Sequence, residues 1–422
     1  MDLNALGASN CDVLVIGGGV IGVCTAYELA GKGAQVTLIE RQEIASGASY
    51  GNGGLIVPSH CIPLAAPGAP LQGLRWMFNP ESPFYIKPRF DPELIEWLFR
   101  FAVASRRKSM MRSIAVLRDL LHASSQIYDE IAAQAGFEFN YEKKGTLMVY
   151  LDPRALEDGI KETRLLEQFG VSAKVMNSQE LRDFEPVLTR DVAGGIHYSQ
   201  DAHIDPYRFV TGLAEKAKER GVQILTKTEA LGFDSNEHIT SVRTTRGYIS
   251  AEQVVLSAGS WSPGLANDLK IKLPVQPAKG YSITLESPAG RLKTPLMFGE
   301  AHVVVTPLDG RLRLAGTLEF AGMDFSINER RVAAIRRASA RYLAGMEGAK
   351  LMEIWRGFRP CTPDDLPVIS RAKRYNNLIV ATGHATLGMS LGPITGRLVS
   401  QLIAGEKPDV ETDALRLERF SL

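Results

Sequence analysis

A short apolar run, Val-Leu-Val-Ile at 13–16, is followed at once by three glycines and then by apolar positions at helical spacing, Ala26, Leu29 and Ala30. Gly31 and Gly33 close that helix, and a second strand is expected at 35–39. The stretch 12–40 therefore reads strand, glycine turn, helix, strand. A loop of Gly, Ser and Asn at 47–54 leads into Leu55, Ile56 and Val57. The link at 63–92 carries Pro67, Pro70, Pro80, Pro83 and Pro88, which argue against any regular element there. From 92 to about 136 the pattern is helical, with Leu94, Trp97, Leu98 and Phe101 on one face and a second helix expected over 113–135. A strand is expected at 146–151 and a helix at 156–169. After Asp205-Pro206 an amphipathic helix runs to Glu219, then come a strand at 222–226 and paired strands through 239–255 about an Arg246-Gly247 turn. Alternation over 275–320 reads as antiparallel sheet. Helix returns at 329–343, and strand, turn and helix recur over 378–403.

The α/β units lie at both ends and in the middle, with antiparallel and helical material between them. The implied fold class is α/β: a discontinuous Rossmann-like nucleotide domain of 1–62, 190–262 and 355–422, with an inserted α+β domain of 63–189 and 263–354 that contains an antiparallel sheet. A chain of 422 residues is long enough for this pair. Hydrophobic content of 45% and charged content of 23% set disorder and fibrous classes aside. Net charge is +1, so no global field favours nucleic acid or an anionic membrane. Cys11, Cys24, Cys61 and Cys361 are far apart, so a disulfide framework or cysteine zinc site is not expected, and reduced thiols fit a cytosolic setting. The first ten residues have neither a basic region nor an apolar core, and no apolar run reaches spanning length.

Candidate chemistry begins at the glycines. Gly17, Gly19 and Gly22 form G-x-G-x-x-G with Val20 and Ile21, directly between strand and helix. Gly17 permits the tight turn, Gly19 lets the backbone approach a pyrophosphate, and Gly22 allows close helix–strand packing. The helix N-terminus faces the phosphate charge. Glu40 ends the second strand at the spacing expected of a ribose-binding acid, and Arg41 beside it suits either a 2′-phosphate or plain solvation. This fingerprint fits NAD and FAD equally. Nothing in the chain resembles His-Glu-x-x-His, a carboxylate ladder or Gly-x-Ser-x-Gly, so no metal is expected.

The fingerprint, A-S-G-A-S-Y-G-N-G-G at 45–54 and G-H-A-T-L-G-M-S-L-G-P at 383–393 together resemble the D-amino-acid oxidase family of FAD enzymes. The stretches at 63–78 and 86–91 are similar to bacterial D-amino-acid dehydrogenases. The resemblance implies FAD as prosthetic group and oxidation of an amine beside a carboxylate, by hydride transfer from the α-carbon to flavin N5. It implies that 46–52 lies against the flavin, with Ser49 and Asn52 offering hydrogen-bond groups and Gly53 and Gly54 close approach. The strand end at 254–261, with Ala258, Gly259 and Trp261, resembles an adenine-side contact, although close packing alone would also explain it. Gly383, His384, Leu387 and Gly388 start an apolar helix whose N-terminus suits charge developing on the flavin.

On the substrate side, Arg359 matches the family arginine of a G-x-R-P run, whose fork grips a carboxylate. Arg356 is the weaker alternative. Tyr281 resembles a tyrosine lining the substrate pocket, although tyrosine on a strand is commonly packing. His302 sits on an alternating strand from which it could face the pocket, and His60 follows the flavin loop. A lone histidine is more often structural. No general base is required if the amine binds deprotonated. The expected substrate is a D-amino acid or cyclic imino acid, and the expected electron acceptor a quinone or dye. Two alternatives remain open: a secondary-amine oxidoreductase acting on D-proline, hydroxy-D-proline, sarcosine or glycine, and a flavin-binding assembly subunit without catalysis. The aromatic helix over 94–111, ending in Arg106, Arg107 and Lys108, reads either as a domain helix or as a membrane-surface contact. A cytoplasmic location is expected, with peripheral attachment to the inner membrane face and oligomerisation left open.

Overall fold

Val13, Leu14, Val15 and Ile16 are each at most 4% exposed, as a parallel strand covered on both faces requires. In the computed structural model, which describes residues 9–77, 79, 81–134, 136–287, 292–346 and 348–421, that strand is Ser9–Ile16. It pairs in parallel with Val36–Ile39 and with Gly247–Leu256. Parallel pairing extends to Gln223–Leu225 on one side and Leu378–Thr382 on the other, and antiparallel hairpins complete an eight-stranded sheet. Residues 1–8, which carry the expectation of no secretory leader, lie outside the described residues. So do Phe78 of the dehydrogenase-like stretch and Ala135, the expected end of a helix.

Helix Val20–Gly31 packs against helix Gly388–Ala404 through two glycines one turn apart. A Cβ on Gly392 would stand 2.6 Å from Val20, and one on Gly396 would stand 2.6 Å from the Cys24 backbone. The glycines set the helix separation, and with it the position of both helix N-termini.

A nine-stranded sheet is built around Gln276–Glu286, flanked antiparallel by Arg311–Phe320 and Leu351–Cys361. From Arg311–Phe320 the order continues through Val303–Leu308, Leu296–Phe298, Thr146–Tyr150, Gly194–Tyr198 and Lys174–Asn177. One face packs Tyr281, Ile283 and Leu314 against Val332 and Ile335 of helix Glu329–Tyr342. The opposite face, carrying Val304, Ala315, Thr317, Trp355 and Arg359, bounds a large cavity. Among the described residues no helix is long and apolar enough to cross a membrane.

The strand and helix positions of 12–40, 205–256, 275–320 and 378–404 follow the sequence reading; four details differ. The proline-rich link holds helix Ala69–Met77 and strand Phe84–Ile86. Pro70 falls in the helix's first turn, where a missing N–H costs nothing, and Phe84–Ile86 pairs with 318–320. Helix Arg107–Gln134 starts six residues earlier than expected. Strands Gly194–Tyr198 and Leu351–Cys361 pair within the second sheet, so the crossings between the two parts fall inside 190–262 and 355–422. Helix Gly388–Ala404 begins five residues after Gly383.

Replacing Gly396 with Val is expected to overpack the helix pair and lower unfolding free energy by about 1–3 kcal/mol. Urea unfolding followed by circular dichroism checks this, and an unchanged midpoint would remove the helix contact from the account.

Candidate active site

The glycine turn is defined by what a side chain would strike. A Cβ on Gly22 would lie 1.8 Å from the Gly17 carbonyl oxygen, and one on Gly17, at φ +114°, would lie 2.6 Å from the Ser257 carbonyl oxygen. A Cβ on Gly18 would strike Glu40. Gly19 is the N-cap, and a Cβ there would meet the Ser49 hydroxyl oxygen at 3.4 Å, an ordinary contact. The Glu40 carboxylate accepts from the Gly18 N–H at 2.7 Å and the Gln42 N–H at 2.9 Å, which fixes the acid beside the turn. Gly17, Gly19, Val20, Ile21, Glu40 and Arg41 all line the cavity, whereas Gly22 lies behind it as packing.

The loop after the second strand closes over that helix end. The Ser49 hydroxyl accepts from the Val20 N–H at 2.9 Å, capping the helix, and Asn52 Oδ1 accepts from the Gly54 N–H at 2.8 Å. Asn52 and Gly53 line the cavity. Gly54, at φ +73°, does not; a Cβ there would strike the Ile204 carbonyl. At the far end, Ala258, Gly259 and Trp261 also line it, and the Arg41 guanidinium stacks over the Trp261 ring at 3.9 Å. Arg41 is thus held on an aromatic face rather than simply solvated.

Strand Leu351–Cys361 points alternate residues to opposite faces, which separates the two arginines of the W-R-G-F-R run. Arg359 enters the cavity; Arg356 lies on the other face, against Phe325 at 4.6 Å. The Arg359 guanidinium crosses Gly280 of the next strand, where a Cβ would stand 1.7 Å from Nη1, and donates to the Thr317 carbonyl at 2.8 Å. Among the described residues no carboxylate lies within 4.0 Å of it. Desolvation lowers its pKa from the ordinary arginine value. The same alternation corrects the expectation for Tyr281: with Gly280 facing Arg359, Tyr281 faces the core. Its hydroxyl lies 3.1 Å from Glu319 Oε2 and accepts from the Asn328 N–H at 3.2 Å, and it does not line the cavity.

His302 and His60 meet at the same end. His302 has a left-handed backbone, φ +49°, and its ring stands edge-on to Trp76 at 5.3 Å. Thr317 is also left-handed, at φ +66°. Such non-glycine conformations cost of order 1–3 kcal/mol each and gather at functional sites. Both histidines line the cavity and are exposed to it, and desolvation by the surrounding walls holds both below the ordinary histidine pKa. Trp97, Leu98, Phe101 and Phe320 supply apolar walls. Asp365, pushed up to about 7 by burial, accepts from the Leu64 N–H at 2.7 Å and ties the link over this end.

The 383–390 segment forms the remaining wall. Gly383, at φ +82°, turns the chain but does not line the cavity, whereas His384, Leu387, Gly388, Met389 and Ser390 do. The helix therefore presents its N-terminus to the cavity from Gly388. Thr395 Oγ1 donates to the Leu391 carbonyl, so His384 Nε2, 2.9 Å away, is the donor in their contact. Burial lowers the His384 pKa to about 3, which suits a neutral structural ring rather than a base.

Gly280, Thr317, Trp76 and Asp365 were not singled out from the sequence. Gly280 is the one with a signal, standing immediately before a candidate tyrosine. The cavity has a volume of about 1330 Å³, larger than the ~300–1,000 Å³ of a drug-sized ligand site. A dinucleotide and a small acid fit in it together. Fold and site define a flavin-type oxidoreductase: a phosphate turn with its acid, a capped loop, a helix end at the far wall and an unpaired arginine.

Comparison with known proteins agrees. Residues 12–402 match the family described as FAD dependent oxidoreductase (DAO), and the chain belongs to that family. It is similar to D-amino acid dehydrogenase of Chromohalobacter salexigens, 33% identical over 425 residues, covering 97% of this chain and 99% of the relative. It is also similar to D-amino acid dehydrogenase of Bradyrhizobium diazoefficiens, 32% identical with 97% and 99% coverage. The fold matches glycine oxidase from Geobacillus kaustophilus at a TM-score of 0.81, with 22% identity over 98% of this chain and 99% of that one. The cofactor is FAD, and the residues present fit it, since the glycine cradle leaves no room for any Cβ at Gly17 or Gly22.

A Val side chain at Gly19 would stand at the N-cap on the cavity wall, its Cβ 3.4 Å from Ser49 Oγ. Gly19→Val is expected to give folded, colourless protein; a fully yellow product, read at the flavin absorbance maximum, would refute the phosphate assignment of this turn.

Proposed function

We propose that the enzyme oxidises D-amino acids to 2-oxo acids and ammonia, with Arg359 as the carboxylate anchor. The observation that carries this is the unpaired Arg359 guanidinium in a cavity with apolar walls, at the end away from the phosphate turn. A partly buried cation without an anion is costly, and a planar carboxylate matches its fork. The names of the two relatives support the α-amino acid reading. When bound, FAD supplies a two-electron acceptor at N5 for the hydride of the α-carbon, leaving an imino acid that water hydrolyses.

The chain's own groups divide that work. Gly17, Gly19, Val20 and Ile21 are assigned to the pyrophosphate and Glu40 to the ribose. Arg41, Ala258, Gly259 and Trp261 are assigned to the adenine side. Ser49, Asn52 and Gly53, which line the cavity, are assigned to holding the flavin. The N-terminus of helix Gly388–Ala404, with Leu387 and Gly388, favours negative charge on the ring system. Arg359 orients the substrate by its carboxylate, and Trp97, Phe101 and Phe320 exclude water. Holding donor and acceptor in register is worth up to ~7–11 kcal/mol.

The acceptor side is assigned to a quinone reached from a bilayer surface. Helices Ala69–Met77 and Pro92–Ala104 wall the substrate end, and they expose Leu71, Leu74, Ile95 and Phe99, the last at 69%. Arg75, Arg106, Arg107 and Lys108 are exposed beside these apolar residues. Apolar side chains flanked by cations match the surface of an anionic bilayer.

Anaerobic mixing with D- and L-amino acids, followed at the flavin absorbance, is expected to bleach the protein with D-amino acids. Arg359→Lys is expected to raise KM about 100-fold with flavin content unchanged, matching the ~1.5–3 kcal/mol of a charged hydrogen bond. Unaltered kinetics in that variant would remove Arg359 from the site. Separately, the protein is expected to co-sediment with anionic phospholipid vesicles, and Leu74→Glu with Phe99→Glu is expected to weaken this about tenfold or more. Equal sedimentation of the two proteins would reject the bilayer face.

A further inference from the structure

We propose that His60 and His302 form a paired proton acceptor that takes the proton of the substrate ammonium. This rests on the reading of the cavity as the seat of amine oxidation, and it supplies what that reading lacks: a route from the ammonium form of a free amino acid to the amine whose lone pair drives the hydride out.

The geometry brings the pair to one place. His60 follows the glycine-rich loop and His302 precedes strand Val303–Leu308, yet both residues line the same cavity, and a charge on His302 is felt at His60. Among the described residues neither ring has a hydrogen-bond partner to occupy its nitrogens. The His302 N–H is held by the Phe298 carbonyl at 2.8 Å, and the Trp76 ring stands edge-on to the imidazole. The ladder places the ring near Arg359: Val304 pairs with Ala315, and Thr317, two residues on, carries the carbonyl that holds the guanidinium. A carboxylate on Arg359 therefore leaves the neighbouring amine on the histidine side.

The charged and titratable neighbours come from several elements. Glu300 is the carboxylate whose charge favours protonated His302, but its Oε1 already accepts from the Leu151 and Asp152 N–H groups and its Oε2 from the Tyr342 hydroxyl. Asp158 and Glu162 of helix Pro153–Glu167 and Tyr150 line the cavity beyond, Arg359 faces from the sheet, and the Cys61 thiol, pushed up to about 11, stays protonated. Both residues open onto the cavity, whose walls desolvate the rings and lower the pKa of each, and a charge on one opposes a charge on the other, so the pair takes one proton. In the step, an N–H bond of the ammonium breaks and an imidazole N–H bond forms. No electrons change hands, and the proton returns to water after the imino acid leaves.

The test is kcat/KM against pH for the wild type, His60→Asn, His302→Asn and the double variant. Asn tolerates the left-handed backbone at 302. With the pair present, the ammonium form of the substrate is productive, and the acid limb lies below the ordinary histidine pKa. Without it only the neutral amine reacts, so the limb is expected to move up to the substrate ammonium's own pKa. The double variant should lose about 100-fold at pH 7, the lower range of acid–base contributions, and recover towards wild type at pH 10. Propionate, which has no amine, should shift the flavin spectrum equally in both proteins. A limb that stays in place, or a deficit equal at pH 7 and pH 10, overturns the pair. If the double variant loses flavin, the single variants read the same way decide. If no amine reduces the wild-type flavin, the reading of the cavity falls and this assignment with it, whereas normal reduction with an unmoved limb removes the histidines alone.

Discussion

The placement of one guanidinium governs the substrate half of the molecule. Arg359 lies inside a cavity, crosses a strand at a residue with no side chain, and finds only a carbonyl, that of Thr317, as its partner. A neutral acceptor satisfies one N–H of the fork and leaves the charge itself unmatched. Folding therefore stabilises this arrangement from elsewhere: the long ladder of Gln276–Glu286 with Leu351–Cys361, and the apolar packing behind it. The unmet charge is what gives a carboxylate ligand its advantage over a neutral one of the same shape. In the proposed reading, electrostatics would select the class of substrate and the apolar walls its size.

The nearby charge cluster on the opposite face of the same strands shows the contrast. Lys279, one residue before Gly280, is fully buried yet has Glu319 and Asp324 each at 3.4 Å and donates to the Ser326 carbonyl. Arg331 approaches Glu319 at 3.8 Å and donates to the Ser82 carbonyl. There every buried charge has an opposite one, and the cluster joins the sheet to helix Glu329–Tyr342 and to the 324–328 segment. On two paired strands, the matched charge of Lys279 serves the fold and the unmatched one of Arg359 is left for a ligand.

Much of this was legible in sequence, for reasons of differing strength. The turn at 17–22 was readable because sterics leave glycine no substitute at Gly17 and Gly22, and the strand and acid around it confirm the context. Arg359 was readable only through resemblance, since an arginine on a strand carries no sign of which face it takes. Tyr281 shows the cost of lacking that sign: a one-residue change of parity moves a side chain from cavity to core. The pairing of His60 with His302 was not legible, because it depends on two loops far apart in the chain closing on one space. Helix Ala69–Met77 was hidden by prolines that stand at its start or outside it, where they do no harm.

The two ends of the cavity use different physics. At the phosphate end, backbone N–H groups and a helix terminus line the cavity, and the residues that shape it are glycines and a small hydroxyl. At the substrate end the backbone is bent into left-handed conformations at His302, Thr317 and Asp365, and these residues bring a ring, a carbonyl and a buried acid to the cavity wall. Strain of this kind survives only where the surroundings over-determine it. Here the pairs Tyr281–Gly316 and Lys279–Glu319 flank the irregularity at Thr317, Trp76 braces His302, and the Leu64 N–H holds Asp365. The rigid end would hold a cofactor that stays, and the strained end would receive a substrate that must enter, react and leave. That division follows from which groups are preorganised by the backbone and which depend on side chains supported across the cavity.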